Sequence, residues 1–137
     1  MNNKKYKYIT IWADDSYPDT IFGIYSPKLE IDIRIAKKLV DDRLDFTQGK
    51  PVYTLIDFTN VKSVTKEARD YMNSPEGGLR GLLGGAFLSN SVVATLFVNL
   101  YLKVNNPTIP AKLFTRKEEA IKWLTKIKVE NAKFANV

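Results

Sequence analysis

The chain has 137 residues, with 21 Lys or Arg against 15 Asp or Glu for a formal charge of +6, and it contains neither His nor Cys. Without imidazole or thiol there is no Ser-His-Asp or Cys-His catalysis, no zinc site of the nitrogen and sulfur type, and no disulfide. The length suits one domain, residues 1–137, burying roughly two-thirds of its unfolded surface, and 45% hydrophobic residues supply its core.

Lys4-Lys5-Tyr6-Lys7-Tyr8 interleaves basic and aromatic side chains, as single-strand nucleic-acid binders do. Continued through Ile9-Thr10-Ile11-Trp12, the segment alternates with period two. That predicts one strand, with Tyr6, Tyr8, Thr10 and Trp12 on one face and Lys7, Ile9 and Ile11 on the other. No apolar signal-peptide core follows the basic start, so a cytoplasmic protein is expected. Asp14 to Asp19 is turn material, and Thr20-Ile21-Phe22-Gly23-Ile24-Tyr25 completes an opening hairpin.

Asp32 is a plausible N-cap for a helix through Ile35, Ala36, Leu39, Val40 and Leu44, which Gly49 and Pro51 end. Val52 to Phe58 is a nearly continuous β-rich run, as expected of a strand buried on both faces. A second helix is expected from about Thr65 to Met72. Gly77 to Gly85 holds five of the seven glycines. It precedes a strand, Ala86-Phe87-Leu88, rather than a helix, so a flexible connection fits better than a phosphate loop.

Gly81 to Leu102 carries no charge, a run of membrane-spanning length. Its polar centre, Ser89-Asn90-Ser91, favours a strand, a turn and a helix through Val104 over a membrane span. That helix has a narrow polar line, Ser91, Thr95, Asn99 and Lys103, with Val98 and Leu102 beside it and Tyr101 on its apolar side. These three residues are the expected apolar surface, either a homodimer interface or the wall of a site for an apolar, lipid-like small molecule. Ala111 to Phe114 is a short strand. Thr115 to Lys128 is an amphipathic helix with Ala120, Ile121, Trp123, Leu124 and Ile127 inward and its charges in water. Eight basic and three acidic residues lie after residue 100, which locates the charge excess there. The apolar phases of these elements place Leu55, Ile56, Phe58, Leu96, Phe97 and Trp123 in one core.

This order of elements argues for an α/β fold with a mostly parallel sheet of four to five strands, an N-terminal β-hairpin and about four helices. The segment Leu55-Ile56-Asp57-Phe58-Thr59-Asn60-Val61-Lys62-Ser63-Val64-Thr65-Lys66-Glu67-Ala68 resembles STAS domains, the SpoIIAA-like anti-sigma factor antagonists. There a buried strand leads through Asp-Leu-Ser-Gly-Val to Asp-Ser-Ser-Gly at a helix start. Leu29-Glu30-Ile31-Asp32, Lys66 to Tyr71 and Pro107 to Phe114 are similar to the bacterial STAS/SEC14-like single-domain proteins.

The resemblance implies a SpoIIAA-like fold and a non-enzymatic regulatory or protein-interaction module, with a carrier or sensor of an apolar molecule as the alternative. The antagonists' phosphorylatable serine falls on Lys66, which has no hydroxyl, and a lysine there has the wrong sign to mimic phosphoserine at a helix start. What the resemblance carries over is a partner-binding loop at the carboxyl end of a central strand: Thr59, Asn60, Lys62, Ser63 and Thr65, with Lys66 and Arg69 beside it. No cofactor, metal or nucleic acid is expected. An enzyme would have to draw on Asp57, Lys62, Lys66 or Arg69, which are grouped only by nearness in sequence.

Overall fold

The computed structural model describes residues 3–135. Strands β1 (Asn3–Lys5), β2 (Ile9–Ala13) and β3 (Thr20–Tyr25) open the chain, followed by β4 (Leu29–Ile31) and helix α1 (Ile33–Thr47). Then come β5 (Val52–Asp57), β6 (Val61–Val64), α2 (Lys66–Met72), β7 (Leu82–Leu88) and α3 (Val92–Leu100). A turn of π-helix (Tyr101–Asn105), β8 (Ala111–Phe114) and α4 (Lys117–Ala135) complete it.

The main sheet has six strands in the order β1-β2-β3-β5-β7-β8, antiparallel through β3 and parallel beyond. It has one strand more than the sequence suggested. The chain does not run straight from Tyr6 to Trp12: the Tyr6 amide donates to the Ile9 carbonyl at 2.8 Å, and β1 folds back on β2. The alternation holds from Ile9 onward, with Ile9 and Ile11 buried on one face and Trp12 packed on the other.

β4 and β6 form a separate parallel pair, in which Glu30 faces Ser63 and Ile31 faces Val64. The uncharged run from Gly81 resolves into β7, a turn and α3. Among the described residues no helix is long and apolar enough to cross a membrane.

The sheet is covered on both sides. Helices α1, α2 and α3 pack on one face over Ile9, Ile11, Ile21, Tyr25, Val52 and Phe58. Helix α4 packs alone on the other, where Ala120, Leu124 and Ile127 meet Phe22, Tyr53, Leu55 and Ala86. The single core expected for Leu55, Ile56, Phe58, Leu96, Phe97 and Trp123 is therefore two. Leu55 and Trp123 lie on the α4 side, Ile56, Phe58 and Phe97 on the other, and Leu96 is exposed. Alternation along β5 sends neighbouring residues to opposite faces, so Leu55 and Ile56 cannot share a core.

The helix starts follow local chemistry. Asp32 caps α1 by accepting the Ile35 amide at 2.8 Å, Thr65 caps α2 through the Ala68 amide, and Ser91 caps α3 through the Ala94 amide. Helix α1 ends at Gln48 and Gly49, both with positive φ. Helix α4 begins at Lys117, two residues after Thr115, and carries Glu118 and Glu119 in its first turn, where acidic side chains favour the helix dipole.

Candidate functional site

A row of small residues crosses the sheet beneath α1, α2 and α3. In register, Thr54 of β5 lies beside Gly85 of β7, and Gly85 beside Ala111 of β8. All three face the same side. Where flanking positions carry Ile56, Leu82 and Phe87, this row leaves a trough, and the helices above do not fill it.

The result is an apolar cavity of about 110 Å³. Its floor is Thr54, Gly85 and Ala111. Phe58, Phe87, Phe97, Val98 and Tyr101 wall it toward the carboxyl ends of the strands, and Leu39, Arg43, Gly78, Leu79 and Leu82 toward their amino ends. Edge-to-face contacts chain Tyr25 to Phe58 at 5.2 Å, Phe58 to Phe87 at 5.9 Å and Phe87 to Tyr101 at 5.9 Å, fixing the aromatic end. An engineered apolar cavity of about 150 Å³, of the same order, binds a benzene-sized molecule.

Few polar groups reach this space. Arg43 donates from Nη2 to the Gly78 carbonyl at 3.0 Å, and burial lowers its guanidinium to about 10. Arg69 reaches Asn105 Oδ1 from Nη1 at 3.4 Å. Tyr101 donates to Asn73 Oδ1 at 3.3 Å, and burial raises its phenol to about 12. The Tyr25 phenol is raised by the same cause.

The surface expected at the end of β5 is largely engaged internally. Thr59 Oγ1 accepts the Asn90 amide at 3.0 Å, Asn60 Nδ2 donates to the Tyr25 carbonyl at 2.8 Å, and Thr65 is the cap of α2. Lys62 and Ser63 belong to β6 rather than to a loop. Lys66 pairs with Asp70 at 2.8 Å, and Asn105 Nδ2 also donates to that carboxylate at 2.9 Å. Those two contacts, Lys66 first, hold the Asp70 carboxyl below the usual carboxylate range. Asp57 accepts the Thr59 amide at 2.9 Å, a strand-end turn. Of this set only Arg69 reaches the cavity.

The reading of α3 is corrected in its orientation. Val98 is 1% exposed and lines the cavity with Tyr101, and Leu102 is half-buried against the same core. The face left in water is Val92, Val93, Leu96, Leu100 and Val104. The polar line does not mark the solvent face, because Ser91 and Thr95 are half-buried with their hydroxyls engaged internally. Ser91 caps the helix, and the Thr95 hydroxyl donates to buried Ser89 Oγ at 3.1 Å. Local hydrogen bonds hold Ser91 and Thr95 inward, while Asn99 and Lys103 stay exposed beside the apolar arc that faces out.

Sequence reasoning missed Thr54, Gly85, Ala111 and Arg43. A threonine inside an apolar strand and a glycine inside the next are a signal of close approach or of missing volume. That signal was hidden within the glycine run. Gly84, next to Gly85, serves the opposite face: a Cβ there would lie 2.9 Å from Ile127 Cδ1 of α4.

A family model described as Domain of unknown function (DUF7793) matches residues 16–128. A crystal structure of an uncharacterized protein from the DUF3478 family with a SpoIIAA-like fold, from Shewanella loihica PV-4, is similar with a TM-score of 0.60. The match covers 88% of this chain and 97% of that one at 16% sequence identity, and the chain shares the SpoIIAA-like fold. No curated protein matches.

Proposed function

We propose that this chain, which belongs to the DUF7793 family and has a SpoIIAA-like fold, is a non-enzymatic, ligand-responsive regulatory module that binds a small apolar molecule under α3. The observation that carries this reading is the cavity over Thr54, Gly85 and Ala111. A core packed to ordinary density has no reason to line up three small residues beneath three helices and leave the volume empty. The space is too small for a two-chain lipid and suits a short chain or a single ring.

Helix α3 connects occupancy to the outside. Its inner residues Phe97 and Val98 touch the cavity, and its outer residues Val92 and Leu96 face water. A ligand that favours one position of α3 therefore changes the surface offered to a partner, which is how a binding domain regulates without catalysis.

Titration of the full chain with 1-hexanol by calorimetry tests this. Binding is expected, and Ala111→Leu, which fills the trough beside Gly85, abolishes it. No binding by the wild type, or undiminished binding by the variant, would defeat the reading.

A second reading is self-association through the outer face of α3, favoured by its exposed row Val92, Leu96, Leu100 and Val104. Sedimentation is expected to show a dimer that Leu96→Glu converts to a folded monomer. A monomeric wild type would remove this reading and leave the cavity untouched.

A further inference from the structure

Arg43 is a buried cation without an anion. It is 9% exposed and enters no salt bridge among the described residues. Its Nη2 holds the Gly78 carbonyl, but Nη1 is buried with no hydrogen-bond partner among the described residues. A guanidinium removed from water with part of its donor set unmet is costly, and the protein could hold Gly78 with a neutral donor instead. The anchoring role accounts for Nη2 and leaves both the charge and Nη1 unexplained.

The location gives them a purpose. Arg43 lies in the wall of the apolar cavity, at the end marked by Gly78, Leu79 and Leu82, with the aromatic wall at the other end. Gly81 faces the same nitrogen: a Cβ there would lie 3.6 Å from Arg43 Nη1. No carbonyl among the described residues accepts from this donor. Resting on the reading of this cavity as a ligand site, we infer that the ligand is a small monocarboxylate. Its apolar body, of about six carbons, lies on the Thr54, Gly85 and Ala111 floor, and its head meets Arg43 Nη1.

A carboxylate suits the guanidinium for three reasons. It is planar and offers two acceptors to a planar fork. Its single negative charge matches the one uncompensated charge of Arg43. Its size leaves room for the body in a cavity of about 110 Å³, whereas a phosphodiester with two acyl chains does not fit. Arg69 also lines the cavity and leaves Nε buried and unpartnered, but Nη1 is drawn away to Asn105 on the π-helical turn. Arg69 is half-buried, where Arg43 is closed from water.

Calorimetry of the full chain with two probes of equal chain length, hexanoate and 1-hexanol, tests the inference. Wild type is expected to bind hexanoate at least about tenfold more tightly, the scale of one charge-assisted hydrogen bond. Arg43→Met is expected to lose that preference while still binding 1-hexanol, and Arg43→Lys to keep part of it. Equal or tighter binding of 1-hexanol by the wild type overturns the carboxylate and leaves the apolar cavity standing, a result that needs no variant to fold. Loss of the preference in Arg69→Met but not in Arg43→Met overturns the assignment to Arg43. Binding of neither probe removes the cavity reading and this inference with it.

Discussion

Arg43 near the end of α1 and Gly78 in the turn before β7 are joined by a 3.0 Å hydrogen bond from the guanidinium Nη2 to the carbonyl, across 35 positions of sequence. The bond ties the cover of the cavity to its floor, because α1 lies above the sheet and the turn leads directly into Leu82 and Gly85. Gly78 also packs against the end of α2 with no room for a side chain. A Cβ on it would lie 2.1 Å from the Met72 carbonyl oxygen and 2.3 Å from the Met72 Cα, both rigid backbone.

Gly78→Ala is therefore expected to displace the turn and to cost about 1–3 kcal/mol, the usual range for overpacking. Urea denaturation measures it. A cost below about 0.5 kcal/mol would show that the turn has slack and does not locate Arg43.

Val98 and Leu96, two residues apart on α3, should respond oppositely to a charge. Val98 is 1% exposed and Leu96 64%. Val98→Glu buries a carboxylate against the core and is expected to destabilise the chain by about 3 kcal/mol or more. Leu96→Glu is expected to stay within about 0.5 kcal/mol of wild type in stability measured at a concentration where the chain is monomeric. Equal effects would contradict the orientation of α3.

Leu55→Ala tests the α4 side of the sheet. Leu55 is 3% exposed among Phe22, Tyr53, Ala86 and Leu124. Its truncation is expected to cost about 2–5 kcal/mol without altering probe binding in the cavity on the opposite face. Lost probe binding in a variant still folded would show that the two faces are coupled.

The N-terminal hairpin is pinned to α1 by Asp45, which accepts from Tyr6 Oη at 2.7 Å and from Lys4 Nζ at 3.1 Å. Tyr6 first, then Lys4, holds the Asp45 carboxyl below the usual carboxylate range. Burial, then Asp45, raises the Tyr6 phenol. A lowered carboxyl favours the folded state above its unfolded pKa, and that contribution is lost as pH falls through the folded value. A raised phenol favours the folded state below its unfolded pKa, and that contribution is lost as pH rises through the folded value. Protection of the β1 amides, taken relative to intrinsic exchange at each pH, should therefore be greatest between the two ranges and fall at either extreme. Asp45→Asn should bring Tyr6 ionisation, followed by absorbance, closer to that of a free phenol. An unchanged Tyr6 would mean that the contact is not held in solution.

Most of the framework was legible in the sequence because local chemistry decides it. Asp32, Thr65 and Ser91 cap the helices they were placed beside, or within a residue of, and Thr20 to Tyr25 forms the expected strand. Val52 to Asp57 could be read as a strand covered on both faces because its apolar run is broken within the strand only by Thr54. The order of strands and helices, with the STAS-like segment from Leu55 to Ala68, was enough to indicate the SpoIIAA-like fold that the structural likeness shows.

Tertiary packing decided the rest. The pairing of β4 with β6 turned the expected partner loop into a strand, and nothing within four short residues announces a neighbour 32 positions away. The polar line on α3 could not reveal which way it faced until Ser89 was seen beneath it as the acceptor for Thr95. The cavity was least legible of all. It is made by the absence of side-chain volume at Thr54, Gly85 and Ala111, and those residues become neighbours only when three parallel strands align in register. A sequence records each small residue singly. Empty volume, and the cost of leaving Arg43 charged at its edge, arise only where distant segments are brought together and water is shut out.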